Sequence, residues 1–339
     1  MWLPVEGPSG PSTRPHPRKI DMPDYAVFGG LLRSELELMG VPPAGEGRDA
    51  DWRLRVVRRP PPPTAHAPEA EVGEDGYAVR LYRLTDGWRL AYADTGTYDV
   101  SAGGARIAWH PVPGALPELV QADVLGRVLA LALGAAGALP LHGSAVALDG
   151  ESIVLLGEKH HGKSTLAAAL TAAGARLVSD DMAAVEPGPP ALLRPGVAQL
   201  RLWADSAQSA LGDTPATRSG GIKDTLSGLP AERVETASTR LGAIYVLAPE
   251  AADGEGEPVA RVPLAPTEAA LALLVHAKLG ALLRGPLAAE HLRRAAQVVR
   301  QVPVYSLRVV RGLERLPRVA ARVLQWHGAA AAGRPEALP

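Results

Sequence analysis

Gly157-Glu158-Lys159-His160-His161-Gly162-Lys163-Ser164-Thr165 satisfies the pattern G-x-x-x-x-G-K-[ST], and its neighbours on both sides are the ones that pattern requires. Ahead of it, Ser152-Ile153-Val154-Leu155-Leu156 is a short apolar run with the composition of a buried strand. Behind it, Leu166-Ala167-Ala168-Ala169-Leu170-Thr171-Ala172-Ala173 is rich in strong helix formers and stops at Gly174, a favourable residue just past a helix end. Strand, glycine-bounded loop and helix in that order create a seat for phosphate. Glycines let the backbone wrap an anion closely, and the unpaired N–H groups of a helix N-terminus face it. The whole of 157–165 is therefore the expected nucleotide contact, with Lys163 reaching the β- and γ-phosphates and the Ser164 hydroxyl ligating Mg²⁺. His160 and His161 fill tolerant positions and read as exposed.

The chain has 339 residues, a net charge of −1 and no cysteine. The length allows one large or two modest domains. The charge balance gives no global attraction to nucleic acid or membrane. The absence of cysteine excludes disulfides, thiolate metal sites and a cysteine nucleophile, and fits a cytoplasmic setting. No apolar h-region marks the first twenty residues as a signal peptide. The most apolar stretch, Val128 to Leu139, is too short to span a bilayer and reads as a buried helix.

Taken in order, residues 1–20 form a proline-rich, basic leader of disordered composition. Residues 21–113 read as a small, mostly β region. Gly29-Gly30 is a turn, Trp52 to Val57 alternates like a half-exposed strand, and Arg58-Arg59-Pro60-Pro61-Pro62-Pro63 ends it in a loop extended to about Gly76. The proline run reads as a spacer rather than as a partner's ligand. Tyr77 to Leu84 and Trp88 to Ala93 alternate around Asp86-Gly87 as a hairpin, and Thr97 to Val100 with Arg106 to Trp109 form a second one. Residues 114–327 read as the α/β domain that contains the loop, and 328–339 as a flexible tail. In that domain Pro117 opens a helix to about Leu133, Leu141 to Leu148 is one buried strand, and Arg176 to Asp181 is a strand ending in two carboxylates. Gln199 to Trp203 and Leu241 to Leu247 are further strands, with a helix from Asp205, a polar loop over Gly212 to Ser227, helices over Thr267 to Leu283, Leu287 to Val302 and Leu313 to Trp326, and a short strand at Val304 to Leu307.

Two side-chain groups beyond the loop bear on chemistry. Asp180-Asp181, one helix after a phosphate loop, offers one carboxylate to hold Mg²⁺ and another to accept a proton from an attacking hydroxyl. Because side chains alternate along a strand, the pair need not face the same way, and a plain strand-to-turn boundary also uses Asp. His142, in the strand before the loop strand, is either a satisfied core histidine or a hydrogen-bond partner for an Asp or a phosphate.

Together, Leu141-His142-Gly143, Gly157 through Ser164 and Arg176-Leu177-Val178-Ser179-Asp180-Asp181 resemble the catalytic core of the HPr serine kinase/phosphorylase family, in the same order. Pro195-Gly196, Leu200 through Asp205, Leu241 through Leu247 and Val302 through Leu307 are similar to the shorter HPr-kinase-related proteins found beside lasso-peptide and other peptide-modification genes, so a weaker likeness runs from about Tyr25 to Gln325. The resemblance implies an α/β phosphate-loop domain of the HPr kinase and PEP carboxykinase type with a small N-terminal antiparallel β layer. It implies ATP and Mg²⁺ as cofactors and phosphoryl transfer to a serine hydroxyl. Carried over residue by residue, Asp180 is the base, Asp181 and Ser164 stand on the metal side, Lys163 clamps phosphate, and His142 sits next to Asp180. The loop departs from the family's Ser/Gly-rich filling, and the Arg-Gly-Leu-Gly segment after the loop has no counterpart, which argues against HPr as substrate and against the reverse reaction.

Three functions follow as expectations. The first is a kinase acting on a serine of a ribosomally made precursor peptide, a partner carrying the acceptor hydroxyl. The second is a small-molecule hydroxyl kinase, and the third a nucleotide-binding regulatory subunit without turnover. Lys223 or Arg218 is a candidate second cation for the transferring phosphate. No nucleic acid or membrane partner is expected, and a homo-oligomer is left open.

Overall fold

The computed structural model describes residues 22–45, 47–74, 77–197, 199–202, 205, 210, 217–219, 224–227, 229–250 and 257–328. The leader at 1–20, nearly all of the tail at 328–339, most of the helix read from Asp205, and Lys223 lie outside that set, as does the side chain of Arg218.

The alternating stretches of the N-terminal third form one eight-stranded sheet. Its strands are β1 (Asp24–Val27), β2 (Gly30–Ser34), β3 (Trp52–Val56), β4 (Ala70–Glu74), β5 (Tyr77–Leu84), β6 (Gly87–Tyr92), β7 (Gly96–Ser101) and β8 (Arg106–Pro111). They lie in the order β1-β2-β3-β8-β7-β6-β5-β4. Every second residue points inward: Trp52 and Leu54, Val79 and Leu81, Tyr98 and Val100, Ile107 and Trp109 are all buried. Both expected hairpins form. The first turns one residue early, at Thr85-Asp86, because Leu84 pairs with Gly87, whose φ of 129° and contact with the Val100 carbonyl leave no room for a side chain.

The layer is neither small nor wholly antiparallel. β3 runs parallel to both β2 and β8; alternation says which residues face the core but nothing about strand direction. β4 arises inside the stretch read as a loop, with Val72 opposite Val79. Its flanking Glu71 and Gly73 hid it.

The expected single helix from Pro117 is broken into α1 (Pro117–Asp123), a π-helical turn (Val124–Val128) and α2 (Leu129–Ala135). Gly126 supplies the break, with φ −91° and ψ −110°. The apolar side of this segment, Val124 and Val128 through Leu133, packs on the inner face of the sheet with Leu32, Leu54 and Tyr98. Fully burying each such side chain is worth about 1.5–3 kcal/mol.

The second sheet holds β9 (Leu139–Leu141), β10 (Gly143–Leu148), β11 (Glu151–Leu156), β12 (Arg176–Ser179), β13 (Ala183–Glu186) and β14 (Leu192–Arg194), then, after a small three-stranded sheet of β15 (Leu200–Leu202), β16 (Thr217–Ser219) and β17 (Asp224–Ser227), β18 (Thr239–Glu250), β19 (Val259–Pro263) and β20 (Val304–Val310). β16 and β17 replace part of the polar loop read over 212–227. β18 is the central strand, parallel to β11 on one side and to β20 on the other. The expected single strand over Leu141–Leu148 is instead β9 and β10 with His142 between them. β9 pairs with β13, while β10 pairs with β11 and β12. Gly143 begins β10 because a Cβ there would lie 2.5 Å from the Leu155 carbonyl oxygen.

Helices cover both faces. The loop helix α3 (Lys163–Ala172) and α6 (Leu316–His327) pack with Ile153, Leu155 and Tyr245. α4 (Pro266–Val275) and α5 (Gly285–Val299) pack with Val154, Leu156 and Ile244. Adjacent residues of β11 therefore enter opposite cores, which is why its sequence is apolar without alternation. The expected α/β class holds. α4 stops at Val275, short of the expected Leu283, and the segment that follows it carries His276 and Lys278 to the loop.

Candidate active site

β11 delivers the chain to Gly157, where glycine is called for by a φ of 151° and because an added Cβ would lie 3.3 Å from the Cβ atoms of His161 and Leu247. The loop turns through His160 (φ 69°) and Gly162 (φ 85°) and enters α3 with no side chain capping its first N–H groups. Lys163 is 9% exposed and folds back, its Nζ donating to the carbonyls of Gly157 at 2.9 Å and Glu158 at 3.1 Å. Glu158, Lys159 and His160 are exposed. His161 departs from the expected exposed filler: it is partly buried, with Nδ1 3.2 Å from the Leu247 carbonyl, and ties the loop to β18.

Asp180 reaches the helix end. Its Oδ1 accepts from Ser164 Oγ at 2.9 Å and Ser144 Oγ at 2.5 Å, and its Oδ2 accepts from the Arg201 N–H at 3.0 Å. Burial pushes its carboxyl above the usual range in spite of these bonds. Asp181 turns the other way, since its φ of 71° swings it off the strand direction. His142 Nδ1 lies 3.3 Å from Asp181 Oδ1 and 3.1 Å from the Asp181 carbonyl oxygen, so it carries the ring proton. The expectation that His142 sits next to Asp180 is thereby corrected. Lys278 Nζ donates to Asp181 Oδ2 at 2.7 Å. Burial alone would raise the Asp181 carboxyl; Lys278 and His142 overcome it and hold the group well below the usual carboxylate range.

Two cavities meet at this pair. A cleft of about 690 Å³ opens over the loop, polar at Lys163, Ser164 and Asp180 and apolar at Leu247, Val309 and Leu316. A second, of about 570 Å³, is bounded by Gly126, Arg127, His276 and Lys278. His142, Lys159 and Asp181 line both.

The structure thus brings Lys163, Ser164, Asp180, Asp181 and His142 together. It adds Ser144, His276 and Lys278, which sequence reasoning missed. Ser144 had a signal, since strand alternation puts it on the side of His142. Lys278 had none: it lies 97 residues from Asp181 and inside a stretch that reads as helix.

No protein-family model and no curated protein matches the sequence. Among solved structures, the HPr(Ser) kinase/phosphatase from Coxiella burnetii is similar to it at 12% identity, over 57% of this chain and 99% of that one, with a TM-score of 0.31. This is a weak likeness of fold and carries no functional argument.

Proposed function

We propose that the chain is an ATP- and Mg²⁺-dependent phosphotransferase that moves the γ-phosphoryl group to an alcohol, with a serine hydroxyl of a peptide as the acceptor. The observation that carries this reading is the 2.9 Å bond from Ser164 Oγ to Asp180 Oδ1, which joins a strand-end carboxylate to the hydroxyl at the start of α3. Lysine, hydroxyl and carboxylate at one helix N-terminus are the parts with which phosphate-loop enzymes hold a metal-bound triphosphate.

The residues fit the cofactor. Among the described residues no group of three His, Asp or Glu could hold a metal, and Mg²⁺ needs none, because one or two protein ligands with phosphate oxygens and water complete its shell. Ser164 and Asp180 would hold the metal, and Lys163 with the loop N–H groups the phosphates. The apolar end of the cleft, at Leu247, Val309 and Leu316, suits a nucleobase. Bound MgATP supplies the transferable phosphoryl group and neutralises its charge.

The contacts favour the reverse of the division that the motif resemblance implies. Asp180, not Asp181, accepts from Ser164, the hydroxyl expected on the metal, which favours Asp180 as the metal-side carboxylate. Asp181 faces both cavities with His142 beside it, so it is the group that orients the acceptor hydroxyl and takes its proton. Its low proton affinity suits a loose transition state, in which the carboxylate positions the alcohol more than it strips it. The acceptor enters through the second cavity. At about 570 Å³ that cavity has the size of a small-ligand pocket, which favours a small-molecule alcohol as the second reading.

Calorimetric titration of the full chain with MgATP tests the nucleotide step: saturable uptake is expected, lost in Lys163→Met. Mass spectrometry of serine-containing peptides and of small alcohols after incubation should then find one added phosphate on one class. No uptake of MgATP would overturn the reading.

A further inference from the structure

A cavity of about 1060 Å³ lies away from the loop, on the outer face of the N-terminal sheet. Its lining carries five arginines, Arg53, Arg55, Arg83, Arg89 and Arg106, against two aspartates, Asp86 and Asp99. The chain as a whole is near neutral at −1, so the positive charge is local.

Register explains how the charge is concentrated. Across the sheet, Arg55 is opposite Ala108, Ala108 opposite Asp99, and Asp99 opposite Arg89. Arg89 is buried and forms a two-pronged pair with Asp99, at 2.5 and 2.7 Å, which consumes that carboxylate. Ala108 leaves a low floor between Arg55 and the pair. One step along, Arg53 lies directly opposite Arg106. Like charges side by side on neighbouring strands repel one another, and an anion between them relieves this. The carboxylates present do this poorly. Asp49 is 4.0 Å from Arg53 with a fully exposed side chain, and the Arg106–Asp86 pair is more than 70% exposed on both sides; such pairs contribute about 0–1 kcal/mol. Arg55 has no ion pair among the described residues.

The proline run supplies one wall. Pro62 and Pro63 line the groove, and the segment is fastened to the sheet where Arg89 donates to the Pro62 carbonyl at 2.6 Å and His110 bonds the Arg59 carbonyl at 2.8 Å. A stretch that reads as a spacer is thus a fixed, stiff rim, so the groove is formed before anything binds.

We propose that this groove docks an extended acidic polypeptide segment, whose carboxylates pair with Arg53, Arg55 and Arg106. Guanidinium forks match carboxylates two oxygens at a time. Asp86 keeps an exposed carboxylate in the groove, which a peptide with spaced acids avoids and an unbroken phosphate backbone does not. The groove shares no lining residue with the candidate active site, so this proposal stands if the nucleotide reading falls.

Fluorescence anisotropy with the full chain and a labelled peptide of alternating Glu and Gly tests it. Saturable binding that weakens as salt rises is expected. The double variant Arg53→Glu/Arg55→Glu and the separate variant Arg106→Glu should each weaken it by roughly tenfold or more, while Arg53→Lys/Arg55→Lys retains part of it. Far-ultraviolet circular dichroism and the thermal unfolding midpoint should be nearly unchanged in all of them, which reports that they fold. Absence of saturable binding, equal binding by the charge-reversed variants, or tighter binding of an oligothymidylate than of the peptide would overturn the proposal.

Discussion

Lys278 Nζ sits 2.7 Å from Asp181 Oδ2 and 3.1 Å from the carbonyl oxygen of the same residue. One ammonium therefore fixes both the carboxylate and the left-handed backbone that aims it. Lys278→Met should cost about 1–2 kcal/mol at neutral pH, less than the loss of a fully buried pair because the Asp181 side chain is 44% exposed. The sign of the pH effect follows from a depressed folded-state carboxyl: its stabilisation is present above about pH 4 and is lost as pH falls below that. Urea unfolding of wild type and variant should thus differ most near neutrality and converge in acid. A constant difference down to the lowest pH would show that the ion pair is not its source.

Asp180→Asn and Asp181→Asn should separate in kind. The first removes the carboxylate bonded to Ser164, so the Mg²⁺ concentration needed for half-maximal activity should rise by about tenfold or more. The second should leave MgATP uptake within about twofold and lower kcat by roughly 10²–10⁴. The reverse pattern would restore the division that the motif resemblance implies.

His276 lines the second cavity, and its backbone carbonyl accepts from the His142 N–H at 2.7 Å. Burial, with Lys163 and His142 nearby, pushes its imidazole down to about 4. Between about pH 6.5 and 4 the unfolded chain binds a proton there that the folded chain refuses, so stability falls as pH falls through that window. The contribution is on the order of 3 kcal/mol. His276→Gln, which does not titrate, should flatten this part of the stability curve; an unchanged slope in denaturant melts over that range would count against it.

Gly157→Ala should damage the loop more than the core. The added Cβ would meet two Cβ atoms at 3.3 Å from a backbone at φ 151°, a strain of about 1–3 kcal/mol. The expected result is MgATP affinity reduced by tenfold or more with a smaller shift in unfolding midpoint, measured by calorimetry and thermal melts.

The seat of the site was open to reading and its surroundings were not. Gly157, Gly162 and Lys163 announce themselves because few backbones can pass a chain through that turn, and Ile153 to Leu156 announce a strand buried on both faces. The break at His142 was hidden because Leu139 to Leu141 and Ala145 to Leu148 are apolar on either side of it, and nothing in the pattern says that one half pairs with β13 and the other with β11 and β12. Lys278 was hidden for a different reason: the turn that ends α4 contains neither proline nor asparagine, and Gly280 comes four residues late. Strand direction in the N-terminal sheet was beyond any local signal.

The resting position of Lys163 has a consequence for discrimination. With its ammonium on two backbone carbonyls, the loop is locked from inside. A visitor must offer the ammonium more than it already has. A lone inorganic phosphate competes poorly with two carbonyls, whereas a polyphosphate chain can engage the helix end and the lysine at once, so tripolyphosphate should bind the chain far more tightly than phosphate at equal ionic strength. On the proposed reading, the latch would leave the loop deaf to small anions and responsive to longer ones.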